Sequence, residues 1–424
     1  MQRQDTKNTW LETLSGKRVY IETYGCRYNF GDSEKLWEIL KHHSCTRTAT
    51  DEEADAIIIN TCTVVGQTER RMLRRLSRFN GRDLYITGCL PDVQKGAILA
   101  ICSPRFIPHT DIREQYRRIG TITPDPVAII QISEGCNSTC TYCIARKARG
   151  PLKSAPLSEI LGRVKAFAET GSVEIQLTAQ DVSGWGRDHG ETLPDLIRAI
   201  GELAGRFFVR VGMMNPATML DILDDLVEAF SEGKIFKFIH VPVQSGSDRV
   251  LRLMGRGYQC EDFEQIVAAF RRKYPGITIA TDMIVGFPGE NEDDFSESLA
   301  LLRRLQANKV NITRYSRRPS TMAFTLTDMP DGIKKERSRL MQACAEEIYH
   351  AIHARYTGNR VPFVVTEKIR SGSVLARTPS YLGIVLPVDM PYGTTGIAEI
   401  RQQTGYYLKG ECVDVREKFQ IAEK

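Results

Sequence analysis

Between residues 127 and 315 the chain repeats one pattern six times: a short run rich in β-branched residues, then a longer stretch with helical spacing. The runs are VAIIQI (127–132), VEIQLT (173–178), FFVRVG (207–212), FKFIHVPV (236–243), ITIATDMIVG (277–286) and KVNITRY (309–315). Strands joined by helical crossovers pair in parallel, because each crossover returns the chain to the same end of the sheet. Six units predict a partial (β/α)6 barrel, short of the eight that close a complete one, with its working face at the carboxyl ends of the strands. In the first helical segment Leu157, Ile160, Leu161, Val164, Phe167 and Ala168 share a face. Ser158 suits its cap and Gly171 its stop.

The segment EGCNSTCTYC (134–143) follows the first of these strands and sets Cys136, Cys140 and Cys143 at that face. A structural zinc site wants four protein ligands, typically in two pairs, so here a fourth would have to come from far along the chain. A Cys-x3-Cys-x2-Cys loop also suits a 4Fe-4S cluster held by three thiolates, with one iron free of protein ligands. That iron can chelate the amino and carboxylate groups of S-adenosylmethionine. An electron from the cluster can then cleave the sulfonium to a 5′-deoxyadenosyl radical. Tyr142, just before the last cysteine, could cover the adenine side.

The amino-terminal segment alternates too. RVYIETYG reads as a strand, DSEKLWEILKHH as a helix opened by Asp32 or Ser33, and ADAIIIN as a buried parallel strand. TERRMLRRLSRF is a second helix and LYITG a third strand, a small parallel α/β unit. Cys26, Cys62 and Cys89 each follow one of its strands. Carboxyl ends of parallel strands share one edge, where ligands bind, so the three should meet. The plainer reading is three unrelated small buried residues.

Prolines in SPRFIPHTD and TITPDP break the pattern, and a basic helical stretch runs from MPDGIKKERSRL to about Tyr356. Beyond it, RVPFVVTEKI, GSVLART, YLGIVLP, TGIAEIRQQ and YLKGECVDV are closely spaced strand-like runs, as in a small antiparallel β-barrel. The expected domains are 16–122, 123–356 and 357–421. Eleven cysteines, an odd number in a chain of 424 residues, argue against a disulfide framework and for metal or catalysis. The start MQRQDTKNTW has no apolar core of a signal peptide, and no run reaches the length of a membrane span, so a cytoplasmic protein without membrane contact is expected. The net charge is only +5, but ERRMLRRLSR (69–78), REQYRR (113–118), RRK (271–273) and RYSRR (314–318) are local basic patches. Solvated helix faces account for most such runs; several on one chain point to a polyanionic partner.

Cys136, Cys140 and Cys143 match the radical S-adenosylmethionine signature. ETYGC.YN..DSE, NTCTV...TERR and TGCL resemble the amino-terminal domain of methylthiotransferases. The resemblance continues through LTAQDVSGWG, VPVQSGSDRVLRLMGRGY, TDMIVGFPGE and NITRYSRRPSTMA, and the tail looks like a TRAM domain. The chain is thus similar nearly throughout to the radical S-adenosylmethionine methylthiotransferases. It is nearest the archaeal and eukaryotic-type branch acting on N6-threonylcarbamoyladenosine in tRNA. GCRYN, where Gln-Met-Asn-like runs are commoner, and Ser320, where Gly is usual, depart from the family without touching a cysteine.

This resemblance implies two 4Fe-4S clusters, with Cys26, Cys62 and Cys89 holding the auxiliary one. It implies two S-adenosylmethionine molecules, one giving the methyl group and one the hydrogen-abstracting radical. The adenine C2–H bond is unactivated, so a radical rather than a base must break it. Partners would be tRNA, a flavodoxin- or ferredoxin-like electron donor and a sulfur source, with the protein a monomer. Gln180 and Asp181, ending the second strand, would engage the methionine amino group, against a reading as polar surface loop. Gln244 and Ser245 would meet ribose or substrate, against plain turn chemistry. Asp282 lies in a segment whose Gly-Phe-Pro-Gly turn could contact adenine or merely turn the chain. His240, His350 and His353 read as packing or surface residues. Lys368, Arg370 and Arg377 in the tail, and Arg314, Arg317 and Arg318 with Tyr315 interleaved, are the RNA candidates. The alternatives are methylthiolation of isopentenyl-adenosine in tRNA or of a ribosomal-protein aspartate, and a non-catalytic RNA-binding iron–sulfur protein.

Overall fold

Ala56–Thr61 is buried along its whole length, as a parallel strand covered on both faces is. In the computed structural model, which describes residues 9–64, 66–119 and 123–417, it is the centre of a parallel five-stranded sheet. The strands are β1 (Arg18–Thr23), β2 (Thr46–Arg47), β3 (Ala56–Thr61), β4 (Leu84–Gly88) and β5 (Arg105–Phe106), in the order β2-β1-β3-β4-β5. Leu36, Ile39 and Leu40 of the helix Arg27–His42 pack with Val19, Ile21 and Ile58 on one face. Met72 and Leu76 of the helix Gly66–Leu76, with Leu90 and Ile98 of Leu90–Leu99, pack with Ile57, Ile59 and Ile86 on the other. Strand order reverses between β1 and β3, and in such sheets that reversal opens the ligand crevice at the carboxyl edge.

The helix after β1 starts at Arg27, not at Asp32 or Ser33 as expected. Both lie buried inside it. The Ser33 hydroxyl meets the Thr23 hydroxyl at 2.7 Å and receives Asn60 Nδ2 at 2.9 Å. Polar residues that reach to neighbouring strands resemble caps when only the sequence is in view.

The chain forms two compact units. One is Met1–Thr123 with Cys143–Pro151 and Ser316–Thr321; the other is Pro124–Tyr142, Leu152–Tyr315 and Met322–Lys424. Residues 120–122 and 418–421 of the expected boundaries lie outside the described residues.

In the second unit all six expected strands form: Val127–Gln131, Glu174–Thr178, Phe208–Val211, Phe238–His240, Thr278–Val285 and Lys309–Arg314. The first three pair in parallel, as do the last three, and the parallel bridges Val209↔Ile235 and Met213↔His240 join the halves. Among the described residues nothing pairs the sixth strand with the first, so the barrel is partial. Its first helix, Leu157–Glu169, buries Ile160, Val164 and Phe167. Pro156, not Ser158, takes the N-cap position, and Gly171 at φ +90° lies just past the helix end as expected.

After the 24-residue helix Asp331–Ala354, Arg360–Arg370, Ser373–Arg377, Gly383–Leu386, Thr395–Gln403 and Leu408–Glu417 close into a five-stranded barrel. Its pairings are antiparallel except the closing one, Ile384↔Leu408, which is parallel. A loop of this small barrel seals the floor of the larger one. Tyr381, at φ +67°, packs with its ring tilted against Phe236 and Phe238, with centroids 4.9 and 5.1 Å away. Its hydroxyl donates to buried Glu174 at 2.5 Å, and Lys237 N–H donates to Pro379 O at 2.8 Å. A carboxylate out of water needs such a donor. No helix among the described residues is long and apolar enough to cross a membrane.

Candidate active site

Cys26 is the third residue after β1, and Cys62 and Cys89 directly follow β3 and β4. Cys26 holds the N-cap position of Arg27–His42 and Cys89 that of Leu90–Leu99, where free N–H groups and the helix dipole favour a thiolate. Gly25 shows how closely these turns approach. At φ +109°, a Cβ added there would lie 2.8 Å from Cys62 Cβ and 2.9 Å from Cys62 Sγ. Cys26 is exposed; Cys62 and Cys89 are buried.

Arg149 backs this site. Its Nε donates to Cys89 Sγ at 3.3 Å, and its Nη2 donates to Asn29 Oδ1 at 3.0 Å and Asp32 Oδ2 at 2.7 Å. Asn29 in turn donates to the carbonyls of Tyr24 and Thr61, both at 2.9 Å, tying the end of β1 to that of β3. Burial pushes the Cys89 thiol up to about 12 against the pull of Arg149, and Cys62 and Cys26 add to the rise. Metal binding would therefore release a proton from Cys89. Among the described residues no three His, Cys, Asp or Glu side chains approach closely enough to share one metal ion. A cubane, which holds its thiolates apart by the breadth of the cluster, needs no such approach. Three soft donors at a carboxyl edge, with a buried cation behind one of them, fit an iron–sulfur cluster.

Cys136, Cys140 and Cys143 are half-buried on one loop. Gly135, at φ +79°, donates its N–H to Gln180 Oε1 at 2.7 Å. Thr141 N–H and Oγ1 donate to the carbonyls of Met254 and Leu253, both at 2.9 Å. Gly255 permits this approach: an added Cβ would lie 2.9 Å from Thr139 O. Its neighbour Arg256 donates Nη1 to Cys140 Sγ and Nη2 to Asn215 Oδ1, each at 3.0 Å. Ser138 N–H donates to Cys136 Sγ at 3.3 Å. Each cysteine set thus has one sulfur that accepts a hydrogen bond from an arginine.

Gln180 holds the cysteine loop from behind. Asp181 is buried with both oxygens taken, Oδ1 by Ser183 Oγ at 2.7 Å and Asn215 N–H at 3.1 Å, and Oδ2 by Thr218 Oγ1 at 2.8 Å. Burial raises its pKa in spite of these donors. It positions Asn215, and through it Arg256, instead of presenting a free oxygen to a cofactor amino group. Gln244 sits at φ +74°, rare for a residue with a Cβ, and its N–H donates to Asp282 O at 2.8 Å. The buried Ser245 hydroxyl accepts from Ser247 N–H at 3.2 Å, so it builds the turn. Asp282 Oδ1 accepts from His240 Nε2 at 2.9 Å and Asn311 Nδ2 at 2.6 Å. Removal from water works to raise the Asp282 pKa, but the bond and charge of His240, with Asn311, bring it below the ordinary carboxylate value. His240, expected as a packing or surface residue, is bonded to Asp282 from the end of its barrel strand. His353 and His350 are bonded to Thr404 and Gln403 as packing residues. Tyr142 lies edge-on to Phe287 at 6.2 Å, in a cluster with Met254 and Tyr315.

Two family models match the chain, the Radical SAM superfamily over residues 130–302 and the uncharacterized protein family UPF0004 over 18–105. The probable threonylcarbamoyladenosine tRNA methylthiotransferase of Pyrococcus abyssi is 38% identical over 93% of this chain and 99% of its own length. The chain belongs to the radical S-adenosylmethionine methylthiotransferase family. The threonylcarbamoyladenosine tRNA methylthiotransferase of Danio rerio is 31% identical over 94% of this chain and 79% of its own. The tRNA-2-methylthio-N(6)-dimethylallyladenosine synthase of Aquifex aeolicus is 29% identical over 94% and 99%. As a radical S-adenosylmethionine enzyme this methylthiotransferase uses an iron–sulfur cluster and S-adenosylmethionine. The UPF0004 span contains Cys26, Cys62 and Cys89, and the Radical SAM span Cys136, Cys140 and Cys143.

Of the basic residues expected to meet RNA, Arg314, Arg317, Lys368 and Arg370 are exposed on this methylthiotransferase. Two are corrected. Arg318 is only 4% exposed, paired with Glu69 at 2.6 Å and donating to Val64 O at 3.1 Å. Arg377 lies 4.6 Å over the Tyr381 ring and donates to Glu367 Oε1 at 3.3 Å. Tyr315 does not interleave with them; it is buried, its hydroxyl on Ala323 O at 3.1 Å. A run of arginines reads alike whether its partner is solvent or a distant carboxylate. The residues that sequence reasoning missed are Arg149, Arg256, Asn29, Asn215 and His240. One signal marked the arginines: each adjoins a glycine at positive φ, Gly150 at +76° and Gly255 at +67°.

Proposed function

We propose that this enzyme transfers a methylthio group to C2 of N6-threonylcarbamoyladenosine near the anticodon of tRNA, using two 4Fe-4S clusters and two S-adenosylmethionine molecules. The observation that carries the substrate is the gradient of likeness. The archaeal relatives named for threonylcarbamoyladenosine stand at 33–38% identity, above the dimethylallyladenosine synthase at 29%, while the animal relatives named for threonylcarbamoyladenosine, at 31% and 29%, do not separate from it. Cys136, Cys140 and Cys143 would hold the radical cluster, and Cys26, Cys62 and Cys89 the auxiliary one. When bound, the clusters supply the electron that cleaves S-adenosylmethionine and an iron at which the transferred sulfur is held.

The chain's own residues set the conditions for this. Arg149 offsets part of the burial cost of a thiolate at Cys89, and Arg256 holds the Cys140 sulfur by a hydrogen bond. Gln180 fixes Gly135, and Asp181 fixes Asn215, which keeps Arg256 on its sulfur. Asp282 has both donors on Oδ1, which leaves Oδ2 for a hydroxyl or amino group of a ligand. Because C2–H is not acidic, the His240–Asp282 pair serves binding and not proton abstraction. Arg314, Arg317, Lys368 and Arg370 would meet phosphates, while a flavodoxin- or ferredoxin-like donor and a sulfur source feed the monomer.

Reconstitution with iron and sulfide tests this. The wild type should hold about eight irons per chain, two cubanes' worth. Cys26→Ala should hold about half, still cleave S-adenosylmethionine and yield no methylthio product. Full product from Cys26→Ala, or a single cluster in the wild type, would overturn the reading.

A further inference from the structure

The helix Gly66–Leu76 and the turn after it carry arginine at 71, 74, 75 and 78. That spacing puts all four on one helical face. The face borders a concavity that is open to solvent. With Tyr20, Glu22 and Tyr24 it lines a cavity of about 480 Å³ in the amino-terminal unit, a volume in the range of pockets that take whole organic ligands.

The charges in this cavity are unbalanced. Its one lining carboxylate, Glu22, is already engaged: Arg75 Nε donates to it at 3.0 Å and the Tyr24 hydroxyl also bonds to it. Arg75 further donates to Asp51 Oδ1 at 2.8 Å and lies over Phe79 at 4.6 Å. Arg71, Arg74 and Arg78 are exposed, and none carries an ion pair among the described residues. Arg74 bonds only to the carbonyl of Arg70, at 3.3 Å. Like charges a turn apart repel, so three unpaired guanidiniums around a concavity cost stability until an anion joins them. A guanidinium fork matches two phosphate oxygens, and a tyrosine face accepts a base or ribose.

We propose that this cavity is a binding site for the RNA substrate. One nucleotide unit would enter it, its phosphodiester on Arg71, Arg74 and Arg78 and its base or ribose against Tyr20 and Tyr24. The exposure of the three arginines suits a strand that passes through better than an enclosed mononucleotide. The proposal rests on the tRNA reading above and adds a contact that the carboxy-terminal barrel does not provide.

The test is binding of a tRNA transcript to the reconstituted enzyme across a salt series, for the wild type and the triple variant Arg71→Gln, Arg74→Gln, Arg78→Gln. Melting temperature and iron content serve as controls. The triple variant should bind about tenfold or more weakly, with a log–log salt slope shallower by about 2, three contacts at roughly 0.7–0.9 each. If it does not fold, Arg74→Gln alone should flatten the slope by about 0.7–0.9. Equal affinity and slope in a folded variant overturn the cavity assignment. So does loss of AMP binding with tRNA binding intact, which would mark a mononucleotide site. A wild type that binds no tRNA would instead overturn the substrate reading itself.

Discussion

A guanidinium 3.3 Å from the Cys89 sulfur and another 3.0 Å from the Cys140 sulfur link charge to ligand at each cysteine set. Arg149 has a second task, because Asp32 at 2.7 Å is buried with it. Arg149→Leu would remove the guanidinium that pairs with that carboxylate, and breaking such a buried pair from one side costs about 3–5 kcal/mol. Denaturant unfolding of the apoprotein measures this directly; a loss under about 1 kcal/mol would show that Asp32 is not held by Arg149. None of this was legible in the sequence, where Arg149 and Asp32 are 117 positions apart. The positions of the six cysteines were legible, because Cys26, Cys62 and Cys89 each follow a strand whose apolar run marks its own end, and Cys136, Cys140 and Cys143 share the loop after the first barrel strand.

Elements were easier to read than their ends. All six barrel strands and all five strands of the small barrel fall where their apolar runs put them, since period and turn residues carry that information locally. The start of the helix at Arg27 did not, because Ser33 and Asp32 bond across to other elements. The loop carrying Tyr381 was equally hidden: a tyrosine between Pro379 and Gly383 reads as an ordinary turn, yet it packs at the floor of the partial barrel. Tyr381→Ala would empty that space and remove one of the donors to Glu174, with Gln176 Nε2 remaining at 2.6 Å, so it should cost about 3–5 kcal/mol. Thermal unfolding should then show the small barrel melting separately. A single transition at the wild-type temperature would mean that the loop does not fasten the two barrels.

For the whole molecule, the decisive pattern is that three-cysteine sets occur twice, on two folds of different design. The amino-terminal sheet has the doubly wound order, with Cys26 and Cys62 flanking its reversal point. The partial barrel carries the other set after its first strand. On the proposed function, one such set would serve to make a radical and the second to hold the sulfur for the carbon that radical activates. The central claim is therefore the product, 2-methylthio-N6-threonylcarbamoyladenosine, and nucleoside mass spectrometry of tRNA from cells with and without the gene measures it most directly. The account predicts that the methylthio nucleoside disappears without the gene while threonylcarbamoyladenosine accumulates. Unchanged methylthio levels, or loss of a different methylthio nucleoside, would contradict it.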